Sequence, residues 1–263
     1  AMAGADFEPI TTTISFGKGE TSKTFSVSTI EDSATEFNET FTVTLTATSF
    51  DDVPAQITDG NATITIQDND KNLNSTELQQ LFVAFNGRPI DPTSQQYWLT
   101  TGTSTNKYSR DLSSQTEFIS NVGSLTIEAQ VDYFYSNIFE RQASASELIS
   151  WTQKIYSGEL QIQNIPSELI TYASSNGSDL ARMDYITLTN KVSGSAAFTS
   201  RINSEVALLL AYQAESINPF IAGNAYEVAM DYIDNITYSS SYFGSWDLDG
   251  AISKILNGGS TYN

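Results

Sequence analysis

The sequence predicts two unlike domains in tandem: an antiparallel β-sandwich over residues 1–72 and an all-helical domain over residues 73–263. Three observations predict it. Through the first 70 residues, apolar side chains alternate with Thr and Ser at a period of two. After the segment DNDKN (68–72) the apolar period changes to that of an amphipathic helix, which puts the boundary near residues 70–74. The helical part then repeats itself at an offset of 53 residues.

The strands come first. Thr12, Ile14 and Phe16 alternate with Thr13 and Ser15, and Phe25 and Val27 alternate with Thr24, Ser26 and Ser28. The same pattern runs through Phe41, Val43 and Leu45, and again through Ala62, Ile64 and Ile66. One face is apolar and the other carries hydroxyls, as in an antiparallel sheet wetted on one side. GKGE (17–20) and TDGN (58–61) are turn signals. Among the helices, Leu78, Leu81, Phe82 and Phe85 fall at i, i+3, i+4 and i+7, with Ser75 as N-cap. Ile127, Val131, Phe134, Tyr135 and Ile138 make a second such stripe. SASE (144–147) is a capping box whose helix ends at Gly158, and Pro166 suits a first helical turn. Further helical stretches fall near 179–192, 203–215, 224–236 and 247–256.

Composition excludes several chemistries. The chain has no Cys and no His. Disulfides, thiolate metal sites, Cys nucleophiles and His-dependent triads are therefore ruled out. No run of apolar residues is long enough to span a membrane, and the N-terminus lacks a signal-peptide pattern. Net charge is −19, which disfavours nucleic acid and anionic membrane as partners. Residues 1–72 hold 3 basic and 12 acidic side chains against 9 and 19 in the much longer remainder, so charge density is highest in the β-region.

Strand parity explains where that charge goes. If strands 24–30, 40–45 and 62–67 alternate in direction, the loop after residue 30, the start of strand 40–45 and the end of strand 62–67 share one edge. Strand 12–16 begins at the same edge, after Asp6. Asp6, Glu31, Asp32, Glu36, Glu39, Asp68 and Asp70 would then meet at one pole. Unit charges about 4 Å apart interact by roughly 4 kcal/mol at an effective dielectric of about 20. A hard cation relieves such repulsion, and Ca²⁺, with its many flexible oxygen ligands, suits clustered carboxylates better than Mg²⁺. The competing reading is a solvated loop whose acids point apart.

The segments AGADF (3–7), FGKGETSKTFSVSTI (16–30), EDSATEFNETFTVTL (31–45) and ATITIQDND (62–70) resemble the Calx-beta domain. The resemblance implies an immunoglobulin-like β-sandwich of extracellular adhesion proteins and sodium–calcium exchangers, with calcium held by acids at these motif positions. It maps the ligands onto Asp6, the pair Glu31 and Asp32, the loop acids Glu36 and Glu39, and the terminal Asp68 and Asp70. Asn69 stands where the family carries another acid. The chain opens where the family pattern is already under way, so the first strands are expected upstream or from another chain.

In the helical repeat, residues 78–98 align with 131–151, pairing Arg88 with Arg141 and Trp98 with Trp151. Both pairs are expected to be fold residues, the Arg at the end of one helix and the Trp closing a small core. FVAFNGRPIDPTSQQYW (82–98) and FYSNIFERQASASELISWTQKIYSGEL (134–160) resemble a helical domain of unknown function found in bacterial S-layer and hemolysin-type surface proteins. In the second copy Glu140 replaces Gly87 and Ser144 replaces Asp91.

Together the resemblances imply a non-catalytic, calcium-binding module of a secreted bacterial surface protein, exported by the type I route. The sandwich would be a calcium-stiffened spacer. The helices would anchor to lipopolysaccharide or another surface glycan, or to neighbouring subunits in a lattice or filament, without membrane insertion. The alternatives are a calcium-dependent carbohydrate-binding adhesin and, more remotely, a glycosidase using Asp231 and Asp234 or Asp247 and Asp249 as paired carboxylates.

Overall fold

The computed structural model describes residues 1–30, 39–47, 56–66, 71–240 and 247–258. The chain divides into two compact units, residues 1–71 and 72–263.

The first unit is built on one antiparallel ribbon, β1 (Glu39–Thr44) and β2 (Asn61–Ile66). Glu39 stands opposite Ile66 and Thr44 opposite Asn61. Phe7 makes an isolated antiparallel bridge with Thr29. Glu8 N–H donating to Ser28 O and Ile30 N–H donating to Asp6 O, both 2.9 Å, flank that bridge. The Phe7 ring stacks on Phe41 at 4.3 Å.

The expected sandwich is therefore not what the chain forms. Among the described residues, 12–16 and 24–28 are not in strands, and no second sheet faces the ribbon. The period-two pattern is real, but among the described residues its apolar side packs on little beyond the Phe7–Phe41 stack. No described hydrophobic residue of 1–71 is buried, and Phe16 is 59% exposed. A two-stranded ribbon is marginal alone, and a sandwich draws its stability from side chains interdigitating between two layers.

The second unit is helical. In chain order it contains α1 (Ser75–Asn86), α2 (Pro92–Thr101), α3 (Thr105–Ser113), α4 (Thr116–Val122), α5 (Ile127–Phe139) and α6 (Ala145–Tyr156). These are followed by α7 (Ile165–Ser175), α8 (Asp179–Asn203), α9 (Val206–Ala211), the small hairpin of β3 (Ser216–Ile217) and β4 (Phe220–Ile221), α10 (Asn224–Asp234) and α11 (Leu248–Leu256). The cap of α1 is Asn74 rather than Ser75. Its side chain accepts from the Thr76 and Glu77 N–H groups while Glu77 accepts from its own N–H, a complete capping box. Ser144 and Glu147 form the expected box at α6.

Two apolar clusters result. The first joins α1 and α5 through Leu78, Leu81, Phe85, Val131, Phe134 and Ile138, with α3, α4, α6 and α7 around them. Phe85, Phe118 and Phe134 lie 5.2–5.9 Å apart, two of their contacts edge-to-face. The second cluster joins the C-terminal half of α8 to α9, α10 and α11 through Phe198, Ile202, Leu208, Ala229, Ile233 and Ile252. α8 is long enough to serve both, with Leu188 and Val192 in the first cluster.

Candidate functional site

Of the seven acids expected to form a metal pole, Asp6 and Glu39 are among the described residues. Glu31, Asp32, Glu36, Asp68 and Asp70 lie outside them. The two described acids come together. Asp6 ends the turn after Ala3 and accepts a hydrogen bond from Met2 N–H. Asp6 and Glu39 thus sit at neighbouring residues of the N-terminal turn, Asp6 against Met2 and Glu39 against Ala1. The Met2 N–H and then Glu39 hold Asp6 below the usual carboxylate range. The Ala1 amino group sits 3.4 Å from the Glu39 carboxylate.

Ile30, next to the segment 31–38, donates its N–H to the Asp6 carbonyl. Ile66, next to the segment 67–70, pairs with Glu39. The described ends of both acid-bearing segments thus lie beside Asp6 and Glu39. Among the described residues no group of three or more acids is placed to hold a metal, and Ca²⁺ takes six to eight oxygens. Two neighbouring carboxylates are suitable chemistry for a hard cation, but they supply only part of such a shell.

In the helical unit the repeated Arg residues are structural. Arg88 Nε and Nη2 fork onto Glu117 at 2.7 and 2.6 Å, with both side chains buried. The Tyr226 ring covers the guanidinium at 3.5 Å. Arg141 instead bridges two acids. Its Nη2 lies 2.8 Å from Glu147 and 2.6 Å from Asp184. Burial would raise the Glu147 pKa, but hydrogen bonds from Arg141 and from Ser144 lower it to about 2. Trp151 is buried, with its Nε1–H donating to Tyr135 Oη at 2.9 Å. Trp98 is half-buried against Tyr108, ring to ring at 5.2 Å.

One feature gave little sign in the sequence. Lys191, in the middle of α8, is fully buried, is paired with Glu140, and donates to Asn137 O at 2.8 Å. Burial lowers its pKa, and Glu140 opposes that shift. Burial raises the pKa of Glu140, which Lys191 in turn opposes. The available signal was Glu140 aligning with Gly87: both residues have positive φ, 55° and 62°, and an acid in that conformation needs a reason.

The carboxylates considered for catalysis are differently engaged. Asp247 caps α11 by accepting from Gly250 N–H at 2.8 Å. Asp231 lines a small groove with Asn235 and Lys254, while Asp234 interacts electrostatically with Lys191.

Residues 1–70 match the family model of the Calx-beta domain. No curated protein and no solved structure shows a significant match to the chain. Among the described residues no helix is long and apolar enough to cross a membrane.

Proposed function

We propose that the chain is a non-catalytic, calcium-binding module of an extracellular bacterial surface protein. The placement of Asp6 and Glu39 against the neighbouring residues Met2 and Ala1, beside the described ends of both acid-rich segments, carries this reading. The family match over residues 1–70 supports it, since Calx-beta domains are non-catalytic and commonly bind calcium. Asp6 and Glu39 supply oxygens to the ion, and Glu31, Asp32, Glu36, Asp68 and Asp70 complete its shell. Bound Ca²⁺ supplies charge neutralisation and a cross-link between segments that share little apolar packing. The helical unit serves attachment, either to lipopolysaccharide or another surface glycan or to neighbouring copies in a lattice.

Calcium titration of the full chain, followed by hydrogen exchange, tests the reading. Residues 1–71 contain no Tyr and no Trp, so intrinsic fluorescence does not report on this unit. Calcium at about a hundredfold excess over Kd should stabilise the unit by about 2.7 kcal/mol. Amides around Asp6, Ile30, Glu39 and Ile66 should become protected, with Mg²⁺ much less effective. The double change Asp6→Asn, Glu39→Gln should abolish the effect. Identical exchange in millimolar calcium and in chelator would end the calcium reading.

A further inference from the structure

A groove of about 820 Å³ lies within the helical unit, between α2 and the C-terminal half of α8. Its lining contains no acid and no base, in a chain with 31 acidic and 12 basic residues. Hydroxyls and amides from Thr93, Gln95, Gln96, Ser200 and Asn203 line it, and Tyr97 stands at its side. The Tyr97 ring is 56% exposed and held edge-on by Trp98 at 5.0 Å.

We propose that this groove binds a neutral oligosaccharide. The inference rests on the reading of the helical unit as a glycan holder and names where the glycan sits. Sugars present closely spaced hydroxyls, which both donate and accept, and flat C–H faces. Amide and hydroxyl side chains match the first, and an exposed aromatic ring matches the second. The volume falls within the usual range for small-ligand sites.

Part of the lining is already arranged. Gln95 Nε2 donates to Ser75 Oγ at 3.0 Å and Gln96 Nε2 to Thr100 Oγ1 at 2.9 Å, which leaves both amide oxygens as oriented acceptors. Among the described residues, no hydrogen bond engages the side chains of Ser200 and Asn203. An acidic glycan would meet no cation in the groove and the field of a chain at −19 outside it.

Comparison of the two repeat copies points the same way. At the offset of 53 residues, Gln95, Gln96 and Tyr97 correspond to Leu148, Ile149 and Ser150. α6 is amphipathic and buries Trp151 and Thr152, whereas α2 buries no residue fully. Of the α6 counterparts Leu148 packs on the core while Ile149 is exposed, so α2 is polar where its copy carries two apolar residues. It differs in the residues that line the groove.

The test uses the full chain on an array of neutral and acidic oligosaccharides of about two to six sugars, sized to the groove. The strongest neutral binder is then titrated against wild type, Tyr97→Ala, Ser200→Trp and the control Tyr172→Ala, an exposed aromatic on α7. Neutral glycans should bind. Tyr97→Ala should weaken binding about tenfold or more, Ser200→Trp should abolish it by filling the groove, and Tyr172→Ala should change nothing, with all melting curves alike. Neutral-glycan binding that survives both groove variants would place the glycan elsewhere, overturning the groove but leaving the glycan-holding reading intact. Binding of acidic glycans alone would overturn the groove's chemistry. No binding to any glycan would overturn both.

Discussion

The two copies of the helix pair solve one problem in different ways. Each ends its first helix in a left-handed residue, follows it with Arg, and starts a second helix from a side-chain cap. In the first copy Arg88 turns away from its own second helix. It forks onto Glu117 of α4 and lies under Tyr226 of α10, sealed from water. In the second copy Arg141 reaches Glu147 of its own α6 and Asp184 of α8, and keeps 21% of its side chain exposed. The Arg is a lock between the turn and whichever helix crosses it. Where the lock includes the second helix, as in α6, that helix also packs into the core. Where it does not, as in α2, the helix sends only Trp98 against the core and its other face lines the groove.

The largest expected effect tests which lock is the more costly to open. Arg88→Met strands the buried Glu117 carboxylate, and removal of one partner from a buried pair costs about 3–5 kcal/mol. Arg141→Met leaves Glu147 and Asp184 facing each other, but water reaches that site and should soften the loss to about 1–3 kcal/mol. Denaturant unfolding of the two variants measures the difference. Equal losses, or a larger one at Arg141, would break the distinction between a sealed and a wetted lock.

How much of this was legible in the sequence follows from what each pattern encodes. The stripe Leu78, Leu81, Phe82, Phe85 names a helix face, and the capping box at Ser144 names a start, because both are local. α3 and α4 leave little pattern because they are short and α3 is largely polar, burying little beyond Tyr108 and Leu112. The predicted sandwich fails for the opposite reason. Alternation at Phe16, Phe25 and Ile64 says which side chains would face a second layer, not that the layer exists, and all three remain exposed. At the candidate site, strand direction predicts one pole for seven acids. The described residues show Asp6 beside Glu39 and the ends at Ile30 and Ile66 adjoining them, while the other five acids lie outside what is described.

A middle-sized effect sharpens the contrast between the two left-handed residues. Glu140→Gly would relax a backbone that L-residues adopt at a cost of about 1–2 kcal/mol. It would also strip Lys191 of its carboxylate inside the fold. The second term should win, for a net loss of about 2 kcal/mol read from thermal or denaturant unfolding. Lys191→Met in the same background should recover most of it, since no buried ammonium then lacks a partner. A neutral or stabilising Glu140→Gly would show that the Asn137 carbonyl and the field of Asp234 satisfy Lys191 without Glu140.

The smallest effect concerns Gly87, where the first copy keeps the residue that the second replaced. Its φ of 62° is costly for Ala. A Cβ there would also stand 3.1 Å from Asn137 Oδ1, tighter than ordinary contact. Asn137 is not idle, because its Nδ2 donates to Ala84 O at 3.0 Å and so satisfies a carbonyl in the last turn of α1. Gly87→Ala should therefore cost about 1–2 kcal/mol, slightly more than backbone strain alone. Asn137→Ala should reduce that excess, because the oxygen that crowds the new Cβ is then gone. A double-mutant cycle of the two changes measures the coupling. Strict additivity would mean that α5 does not sense the first copy's turn. A coupling of a few tenths of a kcal/mol or more would mean that the second copy's helix helps to close the first copy's.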